Sequence, residues 1–188
     1  MKVFKFGGAS IKDANSIRNM TDIVAGYPDD SLVIVVSAMG KTTNKLEQVF
    51  FKKLKDEDFS TDLDELKEYH LTIIQDLFKE PTDIDLKPVN ELFNDLESIL
   101  SSNVKHRNGA KLYDAVVSFG ELLSSTIIGF YMQEIGMKIS WIDARNLIKT
   151  DQNYREGKID WQITGSLIKQ FLTDKLSESN FITQGFIG

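Results

Sequence analysis

Two hydrophobic periods alternate along the chain. A short apolar stretch at 3–6 predicts a strand, and residues 13–26 put Ile17, Met20, Ile23 and Val24 on one helical face, with Ser10 or Asp13 available as the cap. Gly26 and Pro28 end that helix. The unbroken run Leu32, Val33, Ile34, Val35, Val36 then predicts a strand covered on both faces, as in a parallel sheet. Strand, helix and strand in fewer than 40 residues make a βαβ unit, whose setting is a doubly wound α/β sheet.

After residue 44 the period becomes helical alone. Helices are predicted over 45–54, 62–78, 88–100 and 110–135, with 56–64 as a charged, exposed link. Such a block between strands reads as an insertion or lid rather than a further sheet layer. Gly136 closes it, residues 137–142 return to strand, 160–176 form another amphipathic helix, and 181–184 a last strand. At 188 residues the chain can bury one substantial core, and no internal repeat divides it.

Charge sharpens this division. Residues 44–105 hold 15 Asp/Glu against 8 Lys/Arg, a balance of −7, while the rest of the chain, with 13 acids and 14 bases, is near neutral. The acidic excess reads as solvated helix faces, and without a basic stripe no nucleic-acid partner is expected. There is no cysteine, which excludes disulfides and thiolate metal sites and is compatible with a reducing compartment. No apolar run approaches the roughly 18 residues of a membrane span, and the first residues read as a strand rather than a leader, so a cytoplasmic protein with no membrane partner is expected.

In open α/β sheets, ligands meet the carboxyl ends of the strands. Three segments with glycine would gather there: Lys5-Phe6-Gly7-Gly8, Ser37-Ala38-Met39-Gly40 and 184–188. Glycines let the backbone approach an anion, successive N–H groups form a concavity for it, and Lys5 adds a point charge. Thr42, Thr43 and Asn44 precede a helix; they either cap it, Asn44 with Glu47 forming a capping box, or hold an anionic substrate. Ser118-Phe119-Gly120-Glu121 poses the same alternative. It is a capping box, or it buries a carboxylate that needs a cationic partner, which a ligand could supply. An N-cap and a nearby ion pair account for Asp143-Ala144-Arg145, and turn chemistry for Thr150-Asp151. His70 and His106 are expected in polar helical surroundings, and two histidines without cysteine give little support to a zinc site or a histidine-based triad.

Four motifs together carry a family resemblance: residues 5–10 (KFGGAS), 36–46 (VSAMGKTTNKL), 118–124 (SFGELLS) and 181–188 (FITQGFIG). In order and approximate spacing, with Asp143-Ala144-Arg145 and Thr150-Asp151 between the last two, the chain resembles the aspartokinases from residue 1 to 188. The resemblance implies a three-layer α/β/α sandwich of the amino-acid-kinase fold with a mainly parallel sheet and a helical insertion over about 44–135. It also implies ATP-dependent phosphorylation of the side-chain carboxylate of L-aspartate, towards lysine, threonine and methionine. ATP would come with Mg²⁺, without a protein-held metal site. Lys5 would be catalytic; Lys5, Gly7, Gly8 and Ser37 would bind ATP phosphates, and Thr43 and Glu121 the aspartate. Ala9 stands where the family usually has threonine. The family continues past this point into its nucleotide-binding half and regulatory domains, so 1–188 is expected to be the amino-terminal part of a catalytic domain, inactive alone, from a protein that is a homo-oligomer. A glutamate or acetylglutamate kinase of the same fold, or a non-catalytic binding module, are the alternatives.

Overall fold

A computed structural model describes residues 1–102, 109–175 and 179–187. Strand β1 (Lys2–Phe6) runs into a 3₁₀ turn at Gly8–Ile11 and helix α1 (Ala14–Ala25). Asp13 caps α1, its carboxylate accepting from the Ser16 N–H at 2.8 Å, and Gly26 ends it. Then follow β2 (Leu32–Val36), α2 (Thr42–Leu54), α3 (Ser60–Leu77), α4 (Asp83–Ser101), α5 (Gly109–Val117) and α6 (Phe119–Glu134). The chain continues through β3 (Ile139–Ile142), the single turn α7 (Ala144–Leu147), α8 (Trp161–Lys175) and β4 (Asn180–Gln184).

The four strands form one parallel sheet in the order β1-β2-β4-β3. Pairing puts Phe4, Ile34, Ile182 and Trp141 on one face, where Gly129 of α6 packs closely on Ile182 and Trp141 and Phe4 meets Tyr27 beyond α1. On the other face Phe181 packs edge-on against Phe171 of α8. Helices thus cover the sheet from both sides, in the expected three layers. Leu32, Ile34 and Val36 are fully buried, whereas Val3 and Lys5 at the sheet edge stay exposed.

Within the helical block, Lys45 pairs with Asp62 (3.1 Å) and Glu65 (2.6 Å), and Lys52 with Asp62, tying α2 to α3. The block departs from expectation in several ways. The helix expected over 110–135 is interrupted at Ser118, giving α5 and α6. Pro88 lies inside α4 rather than opening it, at the cost of one intrahelical hydrogen bond. The block's last helix lies directly on the sheet. His70, expected in polar surroundings, is fully buried between Phe93, Leu66 and Thr42. His106 lies outside the described residues. By length and composition, residues 109–134 would suffice to cross a membrane, although no such stretch was read from the sequence; 89% of the apolar window is buried in the core.

Candidate active site

The strand register brings the glycine segments together. Phe6 is paired with Val36 and Val36 with Gln184, so the three strands end side by side. The loops beyond are stitched by main-chain bonds: the Ser37 N–H to Phe6 O (3.1 Å), the Gly40 N–H to Gly8 O (3.0 Å) and the Gly185 N–H to Val36 O (2.9 Å). At Gly8 a Cβ would stand 2.5 Å from Ala38 O, so the turn closes against the β2 loop only because the residue is glycine. Gly7 faces open space, with no atom within 4 Å of where its Cβ would be, and leaves its backbone approachable by an anion. Gly40 has φ +51, and a Cβ there would lie 2.6 Å from the Tyr69 hydroxyl. Gly188 lies outside the described residues.

Glu121 enters this cluster from the first turn of α6. Its helix comes close because Gly120 carries no side chain: a Cβ there would sit 2.7 Å from Ala38 Cβ and 3.4 Å from Thr42 Cγ2. The Glu121 carboxylate accepts from the Ala38 N–H at 3.2 Å through Oε1, while Oε2 is buried with no hydrogen-bond partner. Only 5% of the residue is exposed. Burial raises its pKa from 4.5 to about 6, against the opposing pull of the Ala38 N–H and the positive charge of Lys5. Ser124, one turn on, donates to Ser37 O at 2.7 Å and holds α6 to the same loop.

Two capping boxes that the sequence offered do not form. The Ser118 hydroxyl donates back to Ala115 O and caps nothing, so the capping-box reading of Ser118 and Glu121 is overturned. The capping box of Asn44 and Glu47 is also absent: α2 starts earlier, at Thr42, and Glu47 accepts from the Tyr113 hydroxyl at 2.5 Å. Asp143 does cap α7, accepting from the Arg145 N–H (2.9 Å) and pairing with its guanidinium (2.6 Å). Asp151 accepts from the N–H groups of Asn153 and Lys158, as turn chemistry requires.

Lys5, Gly7, Gly8, Ser37 and Glu121 therefore share one end of the sheet, and half-buried Thr43 lies on the first turn of α2 beside Thr42. Sequence reasoning missed the Ala38 N–H and the Ser124 hydroxyl, which hold Glu121 and Ser37. It also missed a hollow of about 410 Å³ lined by Lys12, Lys41, Lys45, Glu65 and Tyr69. The lysines were legible; their convergence depends on the tertiary fold. Among the described residues no three His, Asp or Glu side chains gather in a way that could hold a metal.

A family model described as the amino acid kinase family matches residues 1–188. Aspartokinase 1 of Arabidopsis thaliana, chloroplastic, is 30% identical over 195 residues, covering 99% of this chain and 33% of its own length. The lysine-sensitive aspartokinase 3 of Escherichia coli is 28% identical over 99% of this chain and 40% of its own. A crystal structure of E. coli aspartokinase III in complex with aspartate and ADP superposes with a TM-score of 0.82 at 24% identity, over 98% of this chain and 40% of that one. The chain thus spans about a third of the first of these relatives.

Proposed function

Starting from a chain that belongs to the amino acid kinase family, we propose that its strand ends are the acceptor and phosphate half of an aspartate kinase site. One observation carries the reading: among the described residues the buried Glu121 carboxylate has an oxygen with no hydrogen-bond partner. An isolated carboxylate is costly to bury, and the α-ammonium of an amino acid is the partner that would repay it. The aspartokinase relatives, one of them solved with aspartate and ADP, support the choice of amino acid and nucleotide.

The chemistry asks little acid–base work of the protein. The side chain of free aspartate ionises near pH 3.9, so at neutral pH the nucleophile needs no base. A carboxylate oxygen bonds to the γ-phosphorus as the bond to the ADP oxygen breaks, giving aspartyl phosphate and ADP. The obstacle is repulsion between two anions, so catalysis consists of positioning and charge neutralisation. Lys5 supplies the cation for the transferring group, and the Gly7 and Gly8 N–H groups hold phosphate oxygens. Ser37 borders the phosphates, Thr43 the acceptor's carboxylate and Glu121 its ammonium. Mg²⁺ is small and commonly bound through substrate phosphates, so it is assigned to the nucleotide.

The test, made on the full-length protein of which 1–188 is expected to be the amino-terminal part, is a coupled assay of ADP formation with ATP, comparing L-aspartate with L-glutamate, together with calorimetric titration of each amino acid. Aspartate-dependent turnover that Glu121→Gln abolishes is the expected result. Preference for glutamate, or aspartate binding indifferent to that substitution, would overturn the assignment.

A further inference from the structure

His70 is a titratable side chain with no exposed surface, and nothing in the chemistry above uses it. It sits in the middle of α3, where its ring meets Phe93 of α4 edge-on at 5.9 Å and its neighbour Tyr69 at 5.1 Å. Its Nδ1 lies 2.8 Å from Leu66 O, a carbonyl, so Nδ1 carries the hydrogen and donates. Nε2 is then left as an acceptor, and the atom facing it, at 3.5 Å, is the Thr42 hydroxyl. Thr42 is itself 2% exposed, and among the described residues its hydroxyl has this partner alone. The imidazole is neutral at physiological pH, since burial lowers its pKa to about 4.

Thr42 occupies the position that matters. It opens α2, precedes Thr43, and its N–H donates to Met39 O in the β2 loop (2.9 Å). Its methyl group lies against Gly120, the residue before Glu121, and the same glycine is pressed by Ala38, whose N–H holds the Glu121 carboxylate. A continuous line of contacts therefore runs from the Leu66 carbonyl through the imidazole and Thr42 to the loop and carboxylate of the site. A hydrophobic residue at 70 would fill the space but leave the Thr42 hydroxyl unpaired in the core.

We propose that His70 is a positioning residue: through the Thr42 hydroxyl it fixes the first turn of α2 and so sets Thr43, the Ala38 N–H and the Glu121 carboxylate in their mutual geometry. The inference rests on the aspartate kinase reading only where it concerns substrate; the coupling between His70 and Glu121 stands apart from it. Among the described residues no Asp, Glu, Lys or Arg makes an ion pair or hydrogen bond with the ring, so its contribution is geometric rather than a field effect.

The experiment compares His70→Leu, His70→Gln and Thr42→Val in the full-length protein of which 1–188 is expected to be the amino-terminal part. Two nuclear magnetic resonance signals are read, the Ala38 amide and the titrating Glu121 carboxyl, together with affinities for L-aspartate and ADP by calorimetry. His70→Leu and Thr42→Val should both displace the Ala38 amide and move the Glu121 midpoint. Each should weaken aspartate about tenfold, the loss of one buried hydrogen bond, with ADP changed less than twofold. His70→Gln, whose amide can both donate to Leu66 O and accept from Thr42, should restore all four readings. A folded His70→Leu protein with unmoved Ala38 and Glu121 signals would overturn the proposal. Should that variant fail to fold, Thr42→Val keeps the shape and decides it on the same readings. Signals that move while wild type binds no aspartate would support His70 in its role and refute the kinase assignment.

Discussion

Replacing Glu121 by glutamine tests the site through stability alone. The wild-type carboxyl, 5% exposed, titrates at about 6 in the folded chain against 4.5 for an ordinary glutamate. Because the folded value is the higher one, the folded state binds more protons between those two pH values, and stability falls as pH rises through the window. Below pH 4.5 both states are protonated and nothing is lost; above pH 6 the loss is complete. At about 1.4 kcal/mol for each pH unit, the displacement corresponds to about 2 kcal/mol. Glutamine cannot ionise, and its oxygen can still accept from the Ala38 N–H. Its NH₂ group is left unpaired, but that cost is independent of pH. Urea unfolding of both proteins from pH 4 to 7.5 should therefore give a stability difference that moves in favour of the variant by about 2 kcal/mol across the series, with unchanged m-values. The variant gains at neutral pH while losing aspartate affinity, the trade expected where a fold keeps a costly group for a ligand. A difference that stays flat with pH would show that Glu121 is either solvated or already paired, and would remove the central support for the ammonium site.

Three further outcomes follow from the same geometry. Lys5→Ala should change unfolding free energy by no more than about 0.5 kcal/mol, since the residue is exposed, while phosphoryl transfer by the full-length protein falls by about 100-fold or more; retained turnover would remove the lysine from the chemistry. Gly8→Ala drives a Cβ to 2.5 Å from Ala38 O and should cost about 1–3 kcal/mol in urea unfolding, along with nucleotide binding; wild-type stability would mean the turn is looser than described. Ser125→Ala removes the oxygen that accepts from both Trp141 Nε1 (2.9 Å) and Gln184 Nε2 (2.6 Å). It should cost about 2 kcal/mol or more and change Trp141 fluorescence, and an unaltered melt would place a solvent path into that interior.

The strands were legible because their signal is local. Leu32 to Val36 carries an unbroken β-branched run that a parallel sheet demands, and the glycines after β1 and β2 mark the strand ends without reference to anything distant. Spacing within helices was less informative. Around Ser118 the helical spacing of apolar residues runs on from Val116 and Val117 to Phe119, Leu122 and Leu123, so the period alone does not announce the break, and Pro88 looked like a first-turn residue because proline is favoured there. His70 looked solvent-facing because Glu68, Tyr69 and the acidic run before them dominate its neighbourhood in sequence. Its burial is set by Phe93 and Thr42, 23 and 28 residues away.

Glu121 shows why the spacing of a motif cannot decide its function. Ser-x-x-Glu satisfies a helix start and a ligand site equally well, and both readings use the same residues. What separates them is which way the two side chains turn, and that is governed from outside the motif. Ser118 turns back onto Ala115 O, and Glu121 reaches the Ala38 N–H, 83 residues earlier in the chain. That reach depends on Gly120 letting Ala38 and Thr42 into van der Waals contact with the helix backbone; any larger residue at 120 would lift α6 from the β2 loop. The helical block is therefore more than a cover over the sheet, because α6 brings the carboxylate and α2 the threonines to the ends of strands that themselves supply only a lysine and main-chain donors. Holding that half-paired carboxylate costs the fold about 2 kcal/mol, and under the proposed function the ammonium of a bound amino acid is the cation that offsets it.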